Sequence, residues 1–112
     1  MRIAVPVAND VLCPHFGQCT MFALFDVDPQ AGTVLGRQDL APPRHEPGVY
    51  PRWLHEQGAT LILAGGLGSK AQRLFAEQGI EVVTGVGETD PALAAKAYLE
   101  GRLEHGANRC DH

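Results

Sequence analysis

Two thiols and an imidazole fall within seven residues of this chain, in Cys13-Pro14-His15-Phe16-Gly17-Gln18-Cys19. A second pairing, Cys110-Asp111-His112, closes it. Every cysteine thus stands next to a histidine in sequence. Thiolate and imidazole are the ligands that hold iron, copper, zinc and iron–sulfur clusters. Cys13, His15, Cys19, Cys110 and His112 are therefore candidate metal ligands, and His45 in a proline-rich stretch joins them. The spacing is not that of a zinc finger, because no Cys-x2-Cys pair occurs. The plain alternative is that Cys13 or Cys19 is a small buried hydrophobe, as free cysteines often are.

A second feature is Gly65-Gly66-Leu67-Gly68-Ser69, which follows a short apolar run and precedes a helical pattern. Glycines let backbone N–H groups turn toward an anion, and a helix N-terminus behind them adds favourable dipole. Gly65, Gly66, Gly68 and Ser69 are the cofactor-binding candidates beside His15. The run lacks a P-loop lysine in frame and does not match the dinucleotide fingerprint. It suits a phosphate or an anionic metal–sulfur cluster; the bland reading is a tight strand-to-helix turn.

Catalytic readings are thin. A two-metal nuclease needs converging carboxylates. Asp10, Asp26 and Asp28 exist, but the first strand carries no acid in its interior. A Cys13/His15 nucleophile pair has no evident third group to orient the base. We expect no enzyme. His55 and His105 read as surface positions.

The elements that must position these groups follow from periodicity. Residues 2–8 alternate as a strand with Pro6 near its end. Residues 9–20 read as a loop. Residues 21–28 and 33–40 are two strands joined by the turn Pro29-Gln30-Ala31-Gly32. After the stiff stretch 41–48, Val49, Tyr50, Trp53 and Leu54 recur at helical spacing, and Gly58 ends that segment. Leu61-Ile62-Leu63-Ala64 is a short apolar strand. Ser69 can cap a helix through 78 with Ala71, Leu74 and Phe75 inward, and Gly79 closes it. Residues 81–84 form a fifth strand. Thr89 or Asp90 caps a last helix, with Pro91 in its first turn and Leu93, Ala94, Ala97 and Tyr98 buried. Residues 52–58 and 73–79 echo each other weakly, which we read as one local solution used twice rather than a repeat.

The order β-β-β-α-β-α-β-α implies an α/β fold of three layers. We expect a five-stranded mixed sheet in the order 3-2-1-4-5, with strand 2 antiparallel between 1 and 3, and three helices. This is the ribonuclease-H-like arrangement. Ligands of open α/β sheets bind outside the carboxyl ends of the parallel strands. Loop 9–20 and loop 65–69 should therefore meet at one edge.

Bulk properties set the remaining bounds. The 112 residues suit one domain, expected over 1–103, with 104–112 a Cys/His-bearing tail. The net charge of −4 gives no basic stripe for phosphates, so no nucleic-acid partner is expected. Three cysteines do not make a paired disulfide framework. No signal peptide and no membrane span of roughly 18–20 apolar residues is read, and a cytoplasmic setting is the expectation.

Several segments together resemble the dinitrogenase iron–molybdenum cofactor-binding family (the NifX/NifY/NifB C-terminal type). They are Met1-Arg2-Ile3-Ala4-Val5-Pro6-Val7, His15-Phe16-Gly17, Trp53-Leu54-x-Glu56-Gln57-Gly58, Ala64-Gly65-Gly66-Leu67-Gly68, Ala71-Gln72-x-Leu74-Phe75, Gly79-Ile80-x-Val82 and Thr84-Gly85. Their order and spacing over about residues 1–103 carry the resemblance. It implies a ribonuclease-H-like fold and non-enzymatic binding or carriage of an iron–sulfur or iron–molybdenum cluster during cofactor assembly. Some stand-alone members resemble a protein that holds a molybdenum–copper sulfide cluster. The implied partners are cluster donor and acceptor proteins. By position, His15 is the leading ligand and Gly65 to Ser69 the family's glycine loop. The alternative is a small-ligand or phosphate-binding regulatory module using that loop.

Overall fold

The computed structural model describes residues 1–44, 46 and 48–103. His45, Cys110 and His112 lie outside the described residues. Six strands and three helices follow in chain order: β1 (Arg2–Ala8), β2 (Val11–Leu12), β3 (Met21–Asp28), β4 (Thr33–Leu40), α1 (Val49–Glu56), β5 (Leu61–Leu63), α2 (Ser69–Glu77), β6 (Glu81–Val83) and α3 (Pro91–Leu99). The sheet runs β4-β3-β1-β5-β6, with the short β2 paired to β1 alone. β3 is antiparallel to both β1 and β4, while β5 is parallel to β1 and β6 to β5.

The strands form where apolar side chains fill both faces. Ala4, Phe22, Leu24, Ile62 and Ala64 pack against Tyr50 and Leu54 of α1 and Phe75 of α2. Ile3, Val5, Ala23, Phe25, Leu61 and Leu63 pack on the other face with Ala94 and Ala95 of α3. Alternation along β1 thus feeds two separate cores, the expected consequence of a strand with helices on both sides. Pro6 is tolerated because β5 pairs only with Ile3 and Ala4, so that side of β1 is no longer laddered at residue 6. Gly58 and Gly79 take positive φ (85° and 75°) just beyond α1 and α2, which is how those helices stop. At the amino end of the sheet, Arg2 clamps Asp26 through two hydrogen bonds (2.8 and 3.2 Å) and donates to the Gln57 carbonyl at 2.8 Å. The guanidinium holds the Asp26 carboxyl below the usual carboxylate range.

Two expectations need correction. The segment 9–20 is not plain loop. Asn9 and Asp10 both adopt positive φ (53° and 66°), and this tight turn folds Val11 and Leu12 back onto Val7 and Ala8. Asn and Asp are the non-glycine residues that best tolerate this region, so Asn9-Asp10 is a hairpin signal, and the sheet has six strands rather than five. In α3, Leu93 is 48% exposed, while Ala94, Ala95 and Ala97 are buried. An alanine-rich helix has little contrast between its faces, and the small side chains went inward because they allow close approach to the sheet.

Candidate functional site

The two loops that topology places together are joined by backbone hydrogen bonds. β2 turns the chain so that residues 13–16 run across the end of β5. His15 forms a parallel bridge with Gly66. The Gly66 amide donates to the Pro14 carbonyl at 2.8 Å, and the Phe16 amide donates to the Gly66 carbonyl at 3.1 Å. The approach is close enough that a Cβ on Gly65 would sit 2.9 Å from the Pro14 oxygen, so only glycine fits there. The loop after β6 is tied in as well. The Gly85 amide donates to Gly65 (2.7 Å) and the Leu12 amide to Thr89 (2.7 Å). Three strand-end loops therefore make one continuous edge.

Phe16 anchors that edge. Its ring meets Tyr50 and Phe75 edge-on, each at 5.5 Å between centroids, and Phe22 at 6.0 Å. Such contacts add to the area that an aromatic ring buries. The preceding His15 is exposed. A buried aromatic beside an exposed imidazole fixes where the histidine leaves the surface.

The thiols have the opposite placement. Cys13 is 2% exposed and Cys19 9%, both inside the core cluster built around Phe16, Phe22 and Tyr50. Both are free cysteines. Burial, and then the nearby Cys13, pushes the Cys19 thiol up from 9.0 to about 12, so it keeps its proton at neutral pH. The Cys13 sulfur donates to the His15 carbonyl at 3.0 Å. Among the described residues, no group of three or more His, Cys, Asp or Glu is gathered to hold a metal ion. Cys13, His15 and Cys19 are thus close in sequence, but only the imidazole faces outward.

The glycine loop also differs in detail from its sequence reading. The Gly66 N–H is spent on Pro14 rather than turned toward a ligand. The loop is held by Gln72, whose side-chain amide donates to the Leu67 carbonyl at 2.9 Å and whose backbone N–H donates to Gly68 at 3.0 Å. α2 begins at Ser69 with Gly68 as its N-cap and no capping side-chain hydrogen bond. α3 contrasts with it, since Asp90 caps that helix by accepting from Ala92 and Leu93 at 2.9 and 3.3 Å. A carboxylate occupies the positive end of α3, whereas the N-cap of α2 is a glycine with no side chain to offer.

The carboxylates considered for nuclease chemistry serve separate structural tasks. Asp26 pairs with Arg2, Asp28 accepts from Gln30 and Ala31 in the hairpin turn, and Asp10 shapes the β1–β2 turn.

Sequence reasoning missed two concave features beside His15. One is an apolar groove of about 310 Å³ between α1 and α2, walled by Phe16, Tyr50, Pro51, Ala71 and Leu74. The other is a hollow of about 140 Å³ lined by Pro14, Gly65 and residues 85–89. The second had a signal: Thr84-Gly85-Val86-Gly87 is another glycine run at a strand end, like Gly65 to Gly68.

A family model described as dinitrogenase iron-molybdenum cofactor matches residues 1–101. Protein MJ0580 of Methanocaldococcus jannaschii is 29% identical over 109 residues, covering 93% of this chain and 90% of that protein. The crystal structure of PH0822 is 30% identical, covers 94% of each chain and superposes with a TM-score of 0.85. The apo form of the orange protein from Desulfovibrio gigas is 25% identical, covers 96% of this chain and 93% of its own, and gives a TM-score of 0.71.

Proposed function

This chain belongs to the dinitrogenase iron-molybdenum cofactor family, and from that membership we propose that it binds and carries an anionic metal–sulfur cluster without catalysing a reaction. The observation that carries this reading is the His15–Gly66 bridge, which sets an exposed histidine beside the glycine loop that leads into α2. A neutral imidazole supplies one metal bond. The first turn of α2 supplies positive dipole toward the cluster's charge, worth about 0.3–1 kcal/mol for an exposed anion. The orange protein, a relative with the same fold, was solved in an apo form. The cargo is an iron–sulfur, iron–molybdenum or molybdenum–copper sulfide cluster, passed between donor and acceptor proteins in the cytoplasm. The scaffold is read as ribonuclease-H-like, with residues 1–103 as the binding domain. His45, Cys110 and His112 are further ligand candidates. Cys13 and Cys19 would have to leave the core to join them.

The test is anaerobic. The purified chain is reconstituted once with Fe²⁺ and sulfide and once with tetrathiomolybdate and Cu⁺, and bound Fe, Mo, Cu and S are measured. Retention of a defined cluster is expected from one of the two, with His15→Ala holding it at least about tenfold more weakly, the scale at which lost metal-site groups act. No uptake from either mixture sinks the reading.

A second reading uses the same loop as a phosphate-binding regulatory site, favoured by the α2 N-terminus alone. The groove of about 310 Å³ that reaches this N-terminus at Gly68 and Lys70 is walled mainly by apolar side chains, which suits a phosphate poorly. Metal-independent thermal shifts on adding nucleotides would favour this reading over the first.

A further inference from the structure

The segment 13–16 is pinned at nearly every backbone group. The Cys13 amide donates to Pro6 at 2.9 Å, the Pro14 carbonyl accepts from Gly66, and the Phe16 amide donates to Gly66. The His15 carbonyl accepts twice. The Gln18 amide reaches it from the following 3-10 turn at 2.9 Å, and the Cys13 thiol reaches it from inside at 3.0 Å. That second donor comes from a side chain almost wholly removed from solvent.

We propose that Cys13 is a positioning residue for His15: its thiol proton, donated to the His15 carbonyl, fixes the Cys13-Pro14-His15 turn and with it the outward direction of the imidazole. The sulfur then serves the site as a donor and not as a ligand. The two roles exclude each other, because a thiol that donates keeps its proton while a metal-binding sulfur gives it up. Geometry favours the first. A metal at the exposed edge meets the imidazole, whereas the sulfur lies beneath it in the core with Phe16 and Phe22. Turning the sulfur outward would break the contact with His15 and open a cavity under the aromatic cluster.

This inference rests on the reading of His15 as a cluster ligand, and the test separates the two. Cys13→Ser keeps a donor of similar size at the same place, and Cys13→Ala removes it. Amide hydrogen exchange on the unloaded protein reads the turn directly at Gln18 and Phe16. Cys13→Ala is expected to speed exchange at both by about threefold to tenfold, the range a lost hydrogen bond produces. Cys13→Ser is expected to stay near the parent rate. Retention of the cluster formed in the two reconstitution mixtures should follow the same order, weakened in Cys13→Ala and restored in Cys13→Ser. If Cys13→Ser loses the cluster as fully as Cys13→Ala while its exchange stays at the parent rate, the sulfur is itself a ligand and the proposal falls. Unchanged exchange in Cys13→Ala also overturns it. If instead His15→Ala retains the cluster like the parent, the ligand reading fails, and exchange at Gln18 and Phe16 still decides whether Cys13 holds the turn.

Discussion

At the scale of single residues, burial separates roles that composition cannot. Cys13, Phe16 and Cys19 point inward at intervals of three, while Pro14, His15, Gly17 and Gln18 are exposed. The 3-10 turn at Phe16–Gln18, with about three residues per turn, sets the interval from Phe16 to Cys19. The spacing Cys-x2-Phe-x2-Cys was therefore a packing signal, although its residue types read as a ligand set. A pH dependence follows from Cys19. Its folded thiol titrates near 12 against an ordinary 9.0, so above about pH 9 the unfolded chain sheds a proton that the folded chain keeps. The folded state binds more protons in that window, and stability falls as pH rises through it. Below pH 9 both states are protonated and the contribution is fully present. Urea unfolding under reducing conditions at pH 7, 9 and 10 should show the midpoint dropping above pH 9. Cys19→Ala should lose part of that slope; an unchanged slope would show that Cys19 is not its source. Tyr50 is pushed up as well, by burial first and then by Cys19, so it supplies the part of the slope that the variant keeps.

At the scale of elements, α2 and α3 begin differently, with a glycine at the N-cap of one and a capping carboxylate at the other. Asp90 satisfies two amides at the start of α3, on the sheet face opposite α1 and α2. Asp90→Ala is expected to cost about 1 kcal/mol in urea unfolding, the usual worth of such a cap, and to leave cluster retention unchanged. A loss of retention equal to that of His15→Ala would mean that the two faces are coupled. The strand bounds 2–8, 21–28 and 33–40 were legible because Ile3, Val5 and Val7 alternate along the first and the turn at 29–32 separates the other two. β2 was not, since a two-residue strand carries no periodicity and announces itself only through Asn9-Asp10. On α3 the burial of Ala94 and Ala97 was legible, but Leu93 was placed inward where the buried neighbour is Ala95, because an alanine-rich helix shows little contrast between its faces.

At the scale of the whole molecule, two cores on either side of one sheet leave β4 at the edge. Most of β4 is exposed, and Leu35 is 70% exposed. Edge strands with bare apolar side chains favour unwanted pairing, which charge suppresses. Arg37 and Asp39, bonded to each other at 2.9 Å, already place charge on this strand. Leu35→Lys is expected to shift stability by no more than about 0.5 kcal/mol, as exposed substitutions do. It should also reduce any concentration-dependent association seen by size-exclusion chromatography. A larger loss of stability would show that Leu35 is covered. Among the described residues, no helix is long and apolar enough to cross a membrane.

The amino-acid sequence by itself determined the main strands, the helix stops at Gly58 and Gly79, and the meeting of His15-Phe16-Gly17 with the glycine run. These depend on local periodicity, on backbone freedom and on the rule that ligands gather at strand ends. Tertiary structure alone decided that Cys13 and Cys19 face the core, that the Gly66 amide is spent on Pro14, and that His15 is left at the surface. Each of these rests on a partner far along the chain: Phe75 against Phe16, Gly66 against Pro14, Tyr50 near Cys19. Thiol and imidazole are neighbours in sequence, but packing divided them into a buried pair of thiols and an exposed histidine.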